Sequence, residues 1–240
     1  MSESVPPYLS IVIPAFNEAR RLPATLRELM EFSSRFTQPF EVWVMVEKSE
    51  DDTFDLASQL VSNQARFHVI DNQVQRGKGY AVRSGMLRSL GEFVVYMDAD
   101  LSVPLDEIPV FLDYFKNNPE VDLLFGNRQH PGSDIVKCQS WHRQKMGQIF
   151  NRILRLFSPV TLRDTQCGFK AFRAGAARQI FSHQQLDGFA FDVEVLMLAE
   201  RFGFKIADLP VRWINSNESK VRIVRDSWRM LRDVRRLSRK

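Results

Sequence analysis

The stretch FVVYMDADLSV, residues 93–103, constrains the fold of this chain more than any other. The unbroken apolar run Phe93–Met97 predicts a short strand buried on both faces, as in a parallel sheet covered by helices. It stops at Asp98. Side chains alternate along an extended chain, so Asp98 and Asp100 point the same way, with the small Ala99 between them. Two carboxylates at the carboxyl end of a buried strand offer oxygen ligands suited to a hard divalent cation, Mg²⁺ or Mn²⁺, shared with substrate phosphates.

The residues before this strand repeat one pattern. Leu9–Ile13, closed by Pro14, reads as a strand, and the segment after it carries Leu22, Leu26, Leu29 and Met30 at helical spacing. Phe40–Val46 is a second strand, followed by a helix from about Thr53 to Asn63 that Ser49 or Asp51 can cap. Phe67–Asp71 is a third, and Gly77-Lys78-Gly79 opens a helix with Val82, Met86 and Leu90 inward. Strand and helix in alternation predict an α/β domain whose mostly parallel sheet has helices on both faces and binds ligands beyond its carboxyl edge. That edge would gather residues 15–18, 47–49, 72–78 and 98–100. Further on, Ile108, Phe111, Leu112 and Phe115 mark a helix, 122–128 a strand, 140–156 a helix, 162–173 a loop and short strand, and 191–202 a buried helix. Lys205–Ile214 contains Pro210 and reads as an edge or a bent strand.

Composition bounds the class. In 240 residues, 26% charged and 44% hydrophobic, no apolar stretch approaches the ~20 residues of a membrane span. The first residues show no basic segment with an apolar core, and Cys138 and Cys167 are too few for a disulfide framework, so a reducing cytosol is the expected setting. Charge is uneven. Residues 220–240 hold nine Lys or Arg against Asp226 and Asp233, which is +7, so the net +4 of the whole leaves −3 for the remainder. The tail places Val224, Trp228, Leu231 and Val234 at helical spacing among arginines, a basic amphipathic helix that can lie on an anionic membrane surface or pack on its own domain. No motif that reads nucleic acid accompanies this charge, and no nucleic-acid partner is expected.

Taken as a set, IVIPAFNEARRL (11–22), RGKGYAVRSGM (76–86), YMDADLSVPLDEI (96–108), RDTQCGFKAF (163–172) and FAFDVEVL (189–196) resemble the inverting GT-A glycosyltransferases of the dolichyl-phosphate glucose and dolichyl-phosphate mannose synthase type. The likeness spans about residues 9–237. It implies a Rossmann-like GT-A domain over 1–219 with the basic helix over 220–240. Pro14, Ala15, Asn17 and Glu18 would then lie against the nucleoside of a sugar nucleotide, and Glu47 would read its base. Here the sequence departs from the family's Asp-Asp-Gly-Ser turn, with Val46 for the first Asp and Lys48 for the Gly, which leaves uracil or guanine open. Asp98 and Asp100 match the element that contacts ribose and metal. Lys78, between two glycines at a helix start, is a candidate donor-site cation, because glycines admit a ligand to the backbone and helix N-termini favour anions.

The same resemblance places Arg128 and Arg143 where a lipid phosphate is held, and Asp164 and Asp192 beside the sugar and acceptor. A phosphate monoester is already an oxyanion at neutral pH and requires no general base, whereas an alcohol acceptor would, with Asp192 the candidate. Glu194 is read as a helix-cap or core acid, and Cys167 as a packing residue. The expected activity is transfer of a hexose, glucose from UDP-glucose, with inversion onto a polyprenyl or dolichyl phosphate at the cytoplasmic face of a membrane. Transfer to a non-lipid alcohol, and a silent nucleotide-sugar-binding module suggested by Val46 and Lys48, are the alternatives.

Overall fold

A computed structural model describes residues 6–137 and 164–214, together with 230, 232, 233 and 237. Its centre is the strand that ends in the aspartates, β4 (Phe93–Met97), buried at every residue. On one side it pairs in parallel with β1 (Leu9–Ala15), which pairs with β2 (Phe40–Val46), and that with β3 (Phe67–Asp71). The other side is different. There β7 (Phe169–Arg173) runs antiparallel to both β4 and β5 (Leu123–Asn127), and β8 (Ile206–Pro210) closes the sheet parallel to β5. The order is β3-β2-β1-β4-β7-β5-β8, and β6 (Asp134–Lys137) pairs with β9 (Arg212–Ile214) in a separate ribbon.

Alternation along the strands divides the core. Ile11, Ile13, Phe93, Val95 and Met97 face α1 (Leu22–Arg35), α2 (Thr53–Leu60) and α4 (Glu107–Asn117). Val12, Val94 and Tyr96 face the opposite layer of α3 (Lys78–Met86), α5 (Ala174–His183) and α6 (Phe191–Arg201). Two buried faces explain why β1 and β4 read as continuous apolar runs. The α/β sandwich with helices on both faces is the expected class, and Ile108, Phe111, Leu112 and Phe115 point inward as their spacing predicts.

Three details differ. The α3 helix ends at Met86, and Leu90 is 64% exposed, because Glu41 and Ser10, themselves paired at 2.6 Å, capture the amides of Leu90 and Gly91 and turn the chain. The β1 strand continues through Pro14 to Ala15, since Pro14 needs no amide donor to keep its place. The α5 helix and the β6 strand were not anticipated. The expected helix over 140–156, with Arg143, lies outside the described residues, as does most of 220–240. At the described Met230 the side chain is buried against Ala190 and Val193, so this position packs on the domain.

Phe111 and Phe169 meet edge to face at 4.9 Å between ring centroids and hold the inserted β7 against α4. We expect Phe111→Ala to destabilise the domain by about 3–5 kcal/mol, measured by urea denaturation with an unchanged slope.

Candidate active site

The turns after β1, β2, β3 and β4 converge on the carboxyl edge of the sheet and are tied to one another. Asn17 donates its amide to Ser49 Oγ at 3.0 Å and accepts the Glu50 amide at 2.7 Å, while Glu18 donates its amide to Thr53 Oγ1 at 2.7 Å. Ala15 O accepts the Glu47 amide at 2.9 Å, just beyond Pro14. Asn17, Gln73 and Leu101, one in each of three turns, take positive φ of 50–52°, a conformation disfavoured for any side chain and concentrated here at one rim.

The aspartate pair is held from both sides of the sheet. Thr25 Oγ1 donates to Ala99 O at 2.7 Å, and the Glu18 carboxylate grips Arg21, whose Nη1 lies 3.4 Å from Asp100 Oδ2. Asp100 Oδ1 accepts both the amide and the hydroxyl of Ser102, at 3.0 and 2.7 Å. Asp98 is the more open of the two, with 40% of its side chain exposed, and its Oδ1 lies 2.6 Å from Lys78 Nζ. A side chain at Gly168 would collide with the Asp98 carboxylate, so this glycine forms its cradle. Burial alone would lower the pKa of Lys78, but Asp98 and then Asp192 outweigh it and raise the value, so the ammonium persists.

Other expected residues have different partners from those the sequence suggested. Glu47 is only 3% exposed, and its Oε1 accepts the amides of Arg76 and Gly77 at 3.0 and 2.7 Å. It therefore fastens the turn before α3 through that oxygen. Burial pushes its carboxyl above the usual range against those two bonds. A Cβ on Gly77 or Gly79 would come within 2.6 Å of Asp187 O or 2.5 Å of Leu186 O. The glycines thus admit the chain at 186–188. That loop is held by Asp187, paired with Arg76 at 2.6 Å and Arg83 at 3.1 Å, and by Glu194, which accepts the amides of Gln185 and Leu186. Glu194 is accordingly a core-network acid.

Beneath the rim lie two ion pairs whose acids are buried. Arg128 binds Asp164 through two parallel bonds, Nε to Oδ2 at 2.7 Å and Nη2 to Oδ1 at 2.8 Å, and its amide adds a third at 3.0 Å. Burial alone would raise the Asp164 carboxyl, but the guanidinium holds it below the usual range. The guanidinium also lies 5.5 Å from the centre of the Trp213 ring. Lys170 has no exposed surface, and its three protons go to Tyr96 Oη at 2.7 Å, Cys167 O at 2.6 Å and Asp192 Oδ1 at 2.8 Å. Tyr96 donates in turn to the same Asp192 oxygen. Burial pushes the Cys167 thiol up to about 12, as befits a packing residue.

Sequence reading missed Arg21, Thr25, Gly168 and Lys170 as parts of this site. For three of them a signal was present, since Arg21 belongs to IVIPAFNEARRL and Gly168 and Lys170 to RDTQCGFKAF. The paired aspartates at a strand end, with cations at Lys78, Arg21 and Arg128 around them, form a rim able to hold phosphate groups through metal and direct ion pairs.

Residues 10–181 match the family model described as glycosyl transferase family 2, and the chain belongs to that family. It is a glycosyltransferase with a GT-A fold. Among the curated relatives, a dolichyl-phosphate beta-glucosyltransferase of Dictyostelium discoideum is 30% identical over 96% of this chain and 73% of the relative. One of Drosophila melanogaster is 33% identical over 89% of this chain and 69% of its own length. Of solved structures, mannosyl-3-phosphoglycerate synthase from Rubrobacter xylanophilus superposes with a TM-score of 0.71 at 20% identity, over 97% of this chain and 74% of that one. Glucosyl-3-phosphoglycerate synthase from Mycobacterium tuberculosis, solved with Mn²⁺, uridine diphosphate and glucosyl-3-phosphoglycerate, gives 0.67 at 18% identity, over 95% and 77%. No helix among the described residues is long and apolar enough to cross a membrane.

Because the native Asp164 carboxyl is held below its ordinary pKa, the unfolded chain binds more protons near pH 4, and this contribution to stability is present above that pH and lost as the pH falls through the lower native value. Asp164→Asn should therefore cost about 3–5 kcal/mol at pH 7, with the difference from wild type narrowing below pH ~4 in urea melts across pH.

Proposed function

We propose that this glycosyltransferase moves glucose from UDP-glucose, with inversion, onto a polyprenyl or dolichyl phosphate, with Mg²⁺ or Mn²⁺ at Asp98 and Asp100. The observation that carries the acceptor class is the pairing of each of the four site aspartates with a cation: Asp98 with Lys78, Asp100 with Arg21, Asp164 with Arg128 and Asp192 with Lys170. A general base works best with a pKa near the operating pH, and Asp164 is displaced away from it. Asp192 gives one oxygen to both Lys170 and Tyr96. An acceptor that arrives as an oxyanion needs none of them to take a proton. The names of the relatives, beta-glucosyltransferases acting on dolichyl phosphate, point to the same chemistry.

The residues suit a divalent ion. Among the described residues no three His, Cys, Asp or Glu cluster as a closed protein cage, which leaves Asp98 and Asp100 as the protein's share, with diphosphate oxygens and water to complete the sphere. Gly168 makes room for the Asp98 carboxylate, and Ser102 orients that of Asp100. When bound, the ion offsets the charge gained by the departing nucleoside diphosphate.

The remaining work falls to the chain. Pro14, Ala15, Asn17 and Glu18 form the edge against which the nucleoside rests. Arg128, fixed by Asp164, presents the rest of its guanidinium to the acceptor phosphate, with Arg143 as its partner. Cationic positioning is needed because two anionic reactants must approach, and the arginine fork aims one phosphate oxygen at the anomeric carbon opposite the leaving diphosphate. That oxygen forms the new bond to the anomeric carbon as the bond from that carbon to the diphosphate oxygen breaks, which inverts the carbon and releases the intact nucleoside diphosphate. The enzyme would act on its lipid acceptor at the cytoplasmic face of a membrane, and the nine Lys or Arg of the segment 220–240 would add attraction to anionic lipid.

The test is product formation from UDP-glucose with polyprenyl phosphate, the matching polyprenol and soluble alcohols, with Mg²⁺ or Mn²⁺. We expect transfer to the phosphate alone; transfer to the alcohols would overturn the acceptor assignment. Asp100→Asn should lower turnover by a hundredfold or more with the fold intact by circular dichroism. Arg128→Lys keeps the charge but loses the fork, and should reduce transfer about tenfold to a hundredfold with donor binding retained.

A further inference from the structure

Lys78 is anchored at its backbone. The turn that carries it is fastened by Glu47 through the amides of Arg76 and Gly77, and by the Tyr80 amide, which donates to Asp187 O at 3.1 Å. Gly77 and Gly79 abut the 186–188 backbone on either side of it. Its ammonium ends on Asp98 Oδ1 at 2.6 Å. Asp98 is the open carboxylate of the pair, and the other, Asp100, is already engaged by Ser102 and Arg21. Lys78 therefore sets a monovalent cation on the carboxylate that the proposed divalent ion would use.

Two cations on one carboxylate repel, and the repulsion grows as the site is shielded from water. The four-carbon stem of lysine lets the ammonium re-aim without moving the backbone, and a diphosphate offers it a stronger anionic partner than one carboxylate. We infer that Lys78 keeps a divalent ion off Asp98 until the diphosphate of the donor draws the ammonium away, so that the metal enters with the nucleotide or after it and not before. Lys78 thus has two successive partners, Asp98 and the diphosphate. The order prevents a bare metal site from forming on the rim. By linkage, whatever the nucleotide adds to metal affinity the metal adds to nucleotide affinity. The inference rests on the reading of Asp98 as a metal ligand.

Mn²⁺ binding to the full chain can be followed through the electron paramagnetic resonance signal of the free ion, with and without saturating UDP, and UDP binding by calorimetry. In wild type, UDP should tighten Mn²⁺ binding at least tenfold. Without UDP, Lys78→Met and Lys78→Gln should each bind Mn²⁺ at least tenfold more tightly than wild type, while their own affinity for UDP falls. A purely structural role for Lys78 would weaken metal and nucleotide binding together. Variants that bind Mn²⁺ no more tightly than wild type in the absence of UDP overturn the inference, as does a wild type indifferent to UDP. Asp98→Asn separates the two levels: Mn²⁺ binding in the presence of UDP that equals wild type removes Asp98 from the metal site, and with it the reading on which the role of Lys78 rests.

Discussion

The site depends on a charge with no access to water. Lys170 lies on β7 between β4 and β5, with no exposed surface, and each of its protons has an acceptor. Those acceptors belong to three segments: Tyr96 on β4, Cys167 in the turn before β7, and Asp192 in the first turn of α6. An unpaired buried ammonium is costly enough that the three must be present together for the fold to be stable. Because Tyr96 lies two residues before Asp98 and Gly168 cradles the Asp98 carboxylate, the same arrangement that satisfies Lys170 sets the position of the aspartate pair.

Antiparallel insertion makes this possible. Had β7 run parallel, the turn before it would lie at the opposite edge of the sheet from Asp98. Running antiparallel, it brings Asp164, Cys167 and Gly168 to the rim where β4 ends, and the Asp98 amide donates to Gly168 O at 3.1 Å. The first half of the chain supplies the turns after β1, β2, β3 and β4, and the second half supplies Asp164, Lys170 and Asp192. The loop at 184–188, fastened to the start of α3 by Asp187 and Gln184, joins the two halves a second time.

Much of the fold was legible in the sequence. The two-sided burial of β1, β2 and β4 appears as unbroken apolar runs, and the inward faces of α1 and α4 as helical spacing. Leu90 continued the spacing of α3 but lies outside it, because the end of that helix is set by Glu41 and Ser10, distant in sequence. Periodicity carries no record of such a capture. Glycines 77 and 79 were recognisable as places of close approach, yet what approaches is another part of the same chain.

By itself, then, the sequence determined that β1, β2 and β4 are buried on both faces and that the apolar run of β4 stops at Asp98, since these follow from the need to hide apolar surface. It also carried the family motifs. What only the tertiary structure decided is which charge meets which. Arg128 and Asp164 stand 36 positions apart and Lys78 and Asp98 twenty, and their pairing depends on strand order and direction, which no local pattern encodes. Glu47 shows the physical reason most plainly: a buried carboxylate must find donors wherever the folded backbone offers them, and here those donors are the amides of Arg76 and Gly77.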